Sequence, residues 1–214
     1  MSSSSAPGTY RTSTATTDER LRRWLRSLLE TPGLTSIRDA AEARRVHLEE
    51  SLDGAELVAG FQGPIVDVGS GGGAPGIPLA AVLPEREITL LESRRRKCDF
   101  LRRVAAEFPN VTVVHGRAEE EGKDRFGVAT AKALAPPPVA AELCLPLVAP
   151  GGAVVLWVGP SVDEAALETV AAVSRRLGGS DPITQPGFLV LSKVEPTPPG
   201  FPRRPGMAKK RPLA

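Results

Sequence analysis

The chain has 214 residues, 27 Lys and Arg against 25 Asp and Glu, a net charge of +2, and 41% hydrophobic but only 4% aromatic residues. That length suits one domain of ordinary size with extensions, and the near balance of charge excludes nucleic-acid binding driven by overall charge alone. No apolar run approaches the ~20 residues of a membrane-spanning helix. The two cysteines, Cys98 and Cys144, have no metal or redox spacing, which points to a reducing, cytoplasmic setting.

Residues 1–17 are rich in Ser and Thr, lack an apolar signal core and read as a disordered tail. Asp18 is placed to cap a helix running to about Glu30, with Leu21, Trp24, Leu25, Leu28 and Leu29 on one face and arginines on the rest. Thr31-Pro32-Gly33 ends it, and a second helical pattern runs from Ala40 to about Ala59. His47 falls within that pattern and reads as structural. These first 60 or so residues form a helical extension.

Ile65-Val66-Asp67-Val68 then reads as a buried parallel strand, followed by the turn Gly69-Ser70-Gly71-Gly72-Gly73-Ala74-Pro75-Gly76 and a short helix to Leu83. Glycines let such a turn approach a ligand closely, and the amides at the helix start favour an anionic group. Without a Gly-Lys-Ser/Thr run the turn is no P-loop, but its glycine spacing is one a dinucleotide fingerprint tolerates. Two details favour S-adenosylmethionine (SAM) over a nicotinamide or flavin. Asp67 stands two residues before the first glycine, where a carboxylate meets the ammonium of a methionine moiety. Gly69, Gly71 and Gly73 also make a broad loop suited to an amino-acid tail.

A second strand over 87–91 brings Glu92 to its end, about 20 residues past the glycines, where an acid accepts from both ribose hydroxyls. This supports a nucleoside without saying which. Ser93 opens a helix in which Arg94, Arg95, Arg96, Lys97, Arg102 and Arg103 face one acid, Asp99. Cations at a helix N-terminus oppose the dipole, and a phosphate-rich partner supplies a reason for them. A third strand over 110–115 leads to Ala118, read as the floor for an adenine ring, and Glu119, read as acceptor for its amino group. Strands over 126–131 and 153–158 follow, the latter after a Pro150-Gly151-Gly152 turn, with helices over 139–148 and 163–177. A sixth strand over 187–194 is expected at an antiparallel edge. The alternation gives an α/β fold with a mostly parallel sheet.

These residues resemble the bacterial small-subunit (16S) rRNA guanine-N7 methyltransferase family, formerly called glucose-inhibited division protein B. The resemblance rests on Leu34-Thr35-Ser36-Ile37-Arg38-Asp39, His47-Leu48-Glu49-Glu50-Ser51-Leu52 and the turn extended through Gly76-Ile77-Pro78-Leu79-Ala80. It continues in Leu90-Leu91-Glu92-Ser93, Lys97-Cys98-Asp99-Phe100-Leu101, Gly116-Arg117-Ala118-Glu119-Glu120 and Phe201-Pro202-Arg203-Arg204-Pro205-Gly206. It implies a Rossmann-like class I SAM-dependent methyltransferase fold over residues 61–198. An N-terminal helical extension over 18–60 and a basic, Pro-rich tail over 199–214 flank it. It also implies SAM contacts at Gly69, Ala74, Ala118, Glu119 and Lys132, beside Asp67, Gly71 and Glu92 from the residue reading. The target it implies is a guanine in the decoding region of small-subunit rRNA. Four positions depart from the family pattern: Val46 and Lys132 stand for arginines, Glu50 and Gly127 for aspartates.

Guanine N7 carries no proton, so the expected chemistry needs no general base and no metal. The expected RNA surface joins Arg94, Arg95, Arg96 and Lys97 to Arg203, Arg204, Lys209 and Lys210 on a tail that its prolines keep extended. The expected partner is 16S rRNA or the 30S subunit, with no membrane and no obligate protein partner. A small-molecule methyltransferase, or a noncatalytic SAM- and ribosome-binding protein, are the rival readings.

Overall fold

The computed structural model describes residues 18–159 and 162–213; the expected disordered tail over 1–17 lies outside them. Seven strands form one sheet in the order β3-β2-β1-β4-β5-β7-β6. They are β1 (Ile65–Val68), β2 (Ile88–Glu92), β3 (Val111–His115), β4 (Phe126–Lys132), β5 (Val148–Trp157), β6 (Ile183–Gln185) and β7 (Phe188–Ser192). Strands β1 to β5 are parallel, whereas β7 runs antiparallel to both β5 and β6. The strand order reverses at β1 and β4, and ligands of open α/β sheets bind at that switch point.

Successive residues of β1 serve opposite cores. Ile65 packs with helices α1 (Glu19–Glu30), α2 (residues 40–52), α3 (Ala55–Ala59), α4 (Gly76–Val82) and α5 (Arg95–Ala105). Val66 and Val68 pack with α6 (Pro137–Cys144), α7 (Glu164–Arg176) and α8 (Met207–Lys210). The period-2 pleat of a two-sided buried strand dictates this division. Among the described residues no helix is long and apolar enough to cross a membrane.

The N-terminal helices sit against the sheet much as their periodicity predicts. The Asp18 side chain caps α1 through the Arg20 amide, and Leu21, Trp24 and Leu28 are buried. The second helical pattern is broken, because α2 stops at Leu52 and α3 begins at Ala55. Residues 44–49 of α2 form a wider π-type turn. Such turns recur where a helix serves a functional site.

Three expectations are corrected. The strand over 188–192 is not an edge, since β6, three exposed residues, lies outside it. Strand β5 begins at Val148, and Pro150-Gly151-Gly152 lies inside it as an irregularity rather than before it as a turn. The C-terminal tail is not extended: α8 docks with Ala208 only 2% exposed, and Phe201 and Leu213 pack on the same core.

Candidate functional site

The glycine turn connects β1 to α4 at the carboxyl edge of the sheet, over two buried carboxylates that hold its shape. Asp67 is 1% exposed and Glu92 5% exposed. The Gly76 amide, at the start of α4, donates to Asp67 Oδ2 at 3.2 Å, and the Thr130 hydroxyl donates to Oδ1 at 3.4 Å. The Gly71 amide donates to Glu92 Oε2 at 3.0 Å and the Arg94 amide to Oε1 at 2.7 Å. The anion favoured at this helix start is therefore the protein's own Asp67, and Glu92 ties the turn to α5. Each carboxylate has lone pairs beyond these bonds. Burial pushes the Asp67 carboxyl up to about 7, against the opposing Gly76 hydrogen bond.

From above, the turn is clamped by neighbours that only glycine admits. Gly69 has φ +72°, and a Cβ there would lie 2.4 Å from Leu134 Cδ1. The Trp24 indole donates to the Gly72 carbonyl at 2.8 Å, so α1 pins the far side of the loop. Between these clamps lies a cavity of about 220 Å³ whose wall includes Gly69, Gly71, Ala74, His47, Lys97 and Lys132. Pockets that enclose a whole ligand usually span ~300–1,000 Å³. The cavity therefore has room for one end of SAM. A glycine cradle, carboxylates for an ammonium and for hydroxyls, and no anion-binding lysine of P-loop type are a donor set that fits SAM.

The structure brings together Gly69, Gly71, Ala74 and Lys132 of the expected cofactor residues, with Asp67 and Glu92 directly beneath. It does not bring Ala118 and Glu119 into the same cavity wall. Ala118 is buried in the core, and Glu119 Oε1 accepts the Gly206 amide of the C-terminal tail at 2.8 Å. Val46, His47, Leu28 and Leu34 also line the cavity. Helical periodicity does not reveal them; the motif blocks containing Leu34, His47 and Glu50 were the available signal. His47 bonds Thr35 Oγ1 at 2.9 Å, and burial followed by the Lys132 charge lowers its pKa.

Two departures from the family pattern meet in one ion pair. Lys132 Nζ lies 3.0 Å from Glu50 Oε2 and also donates to the Val46 carbonyl. A cation shorter than arginine faces a carboxylate one methylene longer than aspartate, so the pair keeps its reach. Burial lowers the Lys132 pKa and Glu50 opposes that shift. Gly127 has a separate cause: a Cβ there would fall 1.7 Å from the Gln62 carbonyl oxygen, leaving no room for a side chain.

The expected RNA cations divide into groups. Arg94 and Arg95 are exposed beside the carboxyl edge, and Arg204, Lys209 and Lys210 are exposed on the docked tail. Arg96 is exposed but donates to the Pro32 carbonyl at 2.9 Å. Lys97 faces the glycine turn and lines its cavity. Arg203 is corrected: its guanidinium forms a two-bond pair with Glu142, itself 5% exposed, at 2.6 and 2.7 Å, and is spent internally.

The sheet order with its reversed β7, and a glycine turn over buried acids at the switch point, define a class I SAM-dependent methyltransferase. Solved structures agree on the fold. A SAM-dependent O-methyltransferase from Thermotoga maritima superposes with TM-score 0.53 at 16% identity, covering 70% of this chain and 66% of its own. A Methanococcus maripaludis protein assigned to the SAM-dependent methyltransferases gives 0.57 at 12% identity, covering 91% and 98%.

Sequence relatives narrow the class. The family model for rRNA small subunit methyltransferase G matches residues 18–176. Ribosomal RNA small subunit methyltransferase G of Synechococcus elongatus is 40% identical over 199 residues, covering 84% of this chain and 82% of the relative. The same-named protein of Clostridium beijerinckii is 34% identical over 198 residues with the same coverage. The chain belongs to the rRNA small subunit methyltransferase G family.

Proposed function

We propose that this chain methylates N7 of a guanine in the decoding region of 16S rRNA, using SAM, in the cytoplasm. The observation that carries the reading is the glycine cradle over Asp67 and Glu92 in a chain of this family. When bound, SAM would supply a sulfonium methyl; the N7 lone pair would take it while the C–S electrons stay on sulfur, so no residue of this chain would need to move a proton. The protein's tasks are then alignment and exclusion of water rather than proton transfer. Asp67 and Glu92 keep the cradle in one shape from beneath, and their remaining lone pairs are the acceptors offered to the ammonium and ribose ends. Ala118 and the second carboxylate oxygen of Glu119, outside that cavity wall, would serve the adenine. Lys132, paired with Glu50, presents little net charge to a cationic methyl donor.

Arg94, Arg95, Arg204, Lys209 and Lys210 form the proposed phosphate-tracking surface, with the 30S subunit or its rRNA as partner and no obligate protein partner. The division into an extension over 18–60, a methyltransferase domain over 61–198 and a basic tail belongs to the same proposal. Labelled SAM incubated with unmodified 30S subunits and with naked 16S rRNA tests it. Label mapped to 7-methylguanine supports the reading. Label on small molecules only, or binding without transfer, favours the rivals.

A further inference from the structure

We propose that a second, larger cavity beside the cofactor site receives the target guanine, with Trp157 as its stacking platform and Asp53 reading its Watson–Crick edge. This rests on the guanine-N7 reading above. The cavity holds about 540 Å³, enough for a purine, and lies between α2, the end of β4, the end of β5 and the start of β7. It shares Lys132 and Ala133 with the glycine-turn cavity, so an occupant abuts the methyl donor.

Trp157 is fixed from three sides. Its indole N–H donates to the Glu50 carbonyl at 2.7 Å. The Phe188 ring meets it edge-on, with centroids 5.2 Å apart and planes at 75°. Gly54 passes so close that a Cβ would lie 2.3 Å from Trp157 Cζ2. A half-buried aromatic held in one orientation is what an unstacked RNA base requires.

The polar groups of the wall are unequal. Glu50 is committed to Lys132 at 3.0 Å and to Arg45 at 2.7 Å. The Asp53 carboxylate is exposed at the cavity and makes no hydrogen bond or salt bridge among the described residues, acting only at longer range on the Lys132 ammonium, while its amide is held by the Glu49 carbonyl. Of the four RNA bases only guanine offers two adjacent donors, N1–H and the 2-amino group, to the two oxygens of one carboxylate. Adenine and cytosine set a ring-nitrogen acceptor against it, and uracil offers one donor. N7 lies on a different edge of the purine, so a base held at Asp53 leaves N7 free for the wall that the two cavities share at Lys132 and Ala133.

The test compares wild type, Asp53→Asn and Trp157→Ala on unmodified 30S subunits, with SAM affinity measured by calorimetry. Trp157→Phe keeps a ring in case the alanine variant does not fold. An asparagine replaces one acceptor with a donor facing a guanine donor. Asp53→Asn should lower kcat/KM for 7-methylguanine formation about 10- to 100-fold while SAM affinity stays within about twofold of wild type. Trp157→Ala should lose a similar factor and Trp157→Phe a smaller one. Subunits rebuilt with inosine at the mapped target, which lacks the 2-amino group, should be poorer substrates for wild type by about tenfold. Wild-type kcat/KM in Asp53→Asn overturns the proposal, as does equal use of inosine and guanosine. Loss of SAM affinity matching the loss of turnover also overturns it, because Asp53 then serves the cofactor. Absence of 7-methylguanine with wild type instead removes the functional reading itself, before any variant is compared.

Discussion

Asp67 and Glu92 work under the loop, not in the open cleft. Because burial lifts the Asp67 pKa from 3.8 to about 7, the folded chain holds that proton more tightly than the unfolded chain. The stability this contributes is fully present below about 4 and is lost as the pH rises through 7, at about 1.4 kcal/mol per unit within the window. Asp67→Asn carries no such loss. Denaturant unfolding at pH 5 and pH 8 should therefore show the variant gaining about 2–3 kcal/mol on wild type between the two. A constant gap would mean that Asp67 stays ionised throughout. For Glu92→Gln, one of the Gly71 and Arg94 amides faces an amide donor, and a lost hydrogen bond to a charged acceptor costs about 1.5–3 kcal/mol. SAM affinity measured by calorimetry should fall about 10- to 100-fold.

The paired swap at Lys132 and Glu50 makes its own prediction. Lys132→Arg and Glu50→Asp should each lower turnover, and the double substitution should recover most of it, with a coupling of about 1 kcal/mol in the double-mutant cycle. Additive losses would show that the two residues act separately. Sequence patterning placed Asp67, Glu92 and the glycines correctly along the chain, because strand–turn–helix chemistry is local. It could not see that the Gly76, Gly71 and Arg94 amides already occupy those carboxylates. Nor could it see that the departures at 50 and 132 meet across 82 positions, since that contact exists only once α2 lies over the end of β4.

At the scale of elements, the N-terminal helices and the C-terminal tail differ in how far sequence revealed them. The Leu21, Trp24 and Leu28 spacing predicts α1 and its buried face, whereas its long-range contacts, the Trp24 bond to Gly72 and the Arg23 pair with Glu107, leave no trace in that spacing. The tail misled because its prolines and cations describe an extended basic strand equally well. The partner that decides the matter, Glu142, lies 61 positions away in α6. Strand β6 was missed because three exposed residues carry no apolar alternation to recognise. Truncation before residue 200 should cost about 3–5 kcal/mol, because it takes the Phe201, Ala208 and Leu213 side chains from the core together with the Arg203–Glu142 pair. A truncated chain with wild-type unfolding midpoint would contradict the docked tail. The same truncation is therefore a poor probe of RNA binding, because it removes packing along with charge.

For the molecule as a whole, the net charge of +2 hides an uneven distribution. Exposed arginines and lysines flank the carboxyl edge, while Arg203 and Lys97 face inward. Replacing Arg94, Arg95, Lys209 and Lys210 by alanine should flatten the salt dependence of 30S binding by about one unit of slope per phosphate contact removed. An unchanged slope would place the footprint elsewhere. The most direct measurement is single-turnover transfer from labelled SAM to unmodified 30S subunits, with the product read by nucleoside analysis. One 7-methylguanosine per subunit is expected, at one position of 16S rRNA. Label in any other nucleoside, or none in rRNA from a protein that binds SAM, would contradict it.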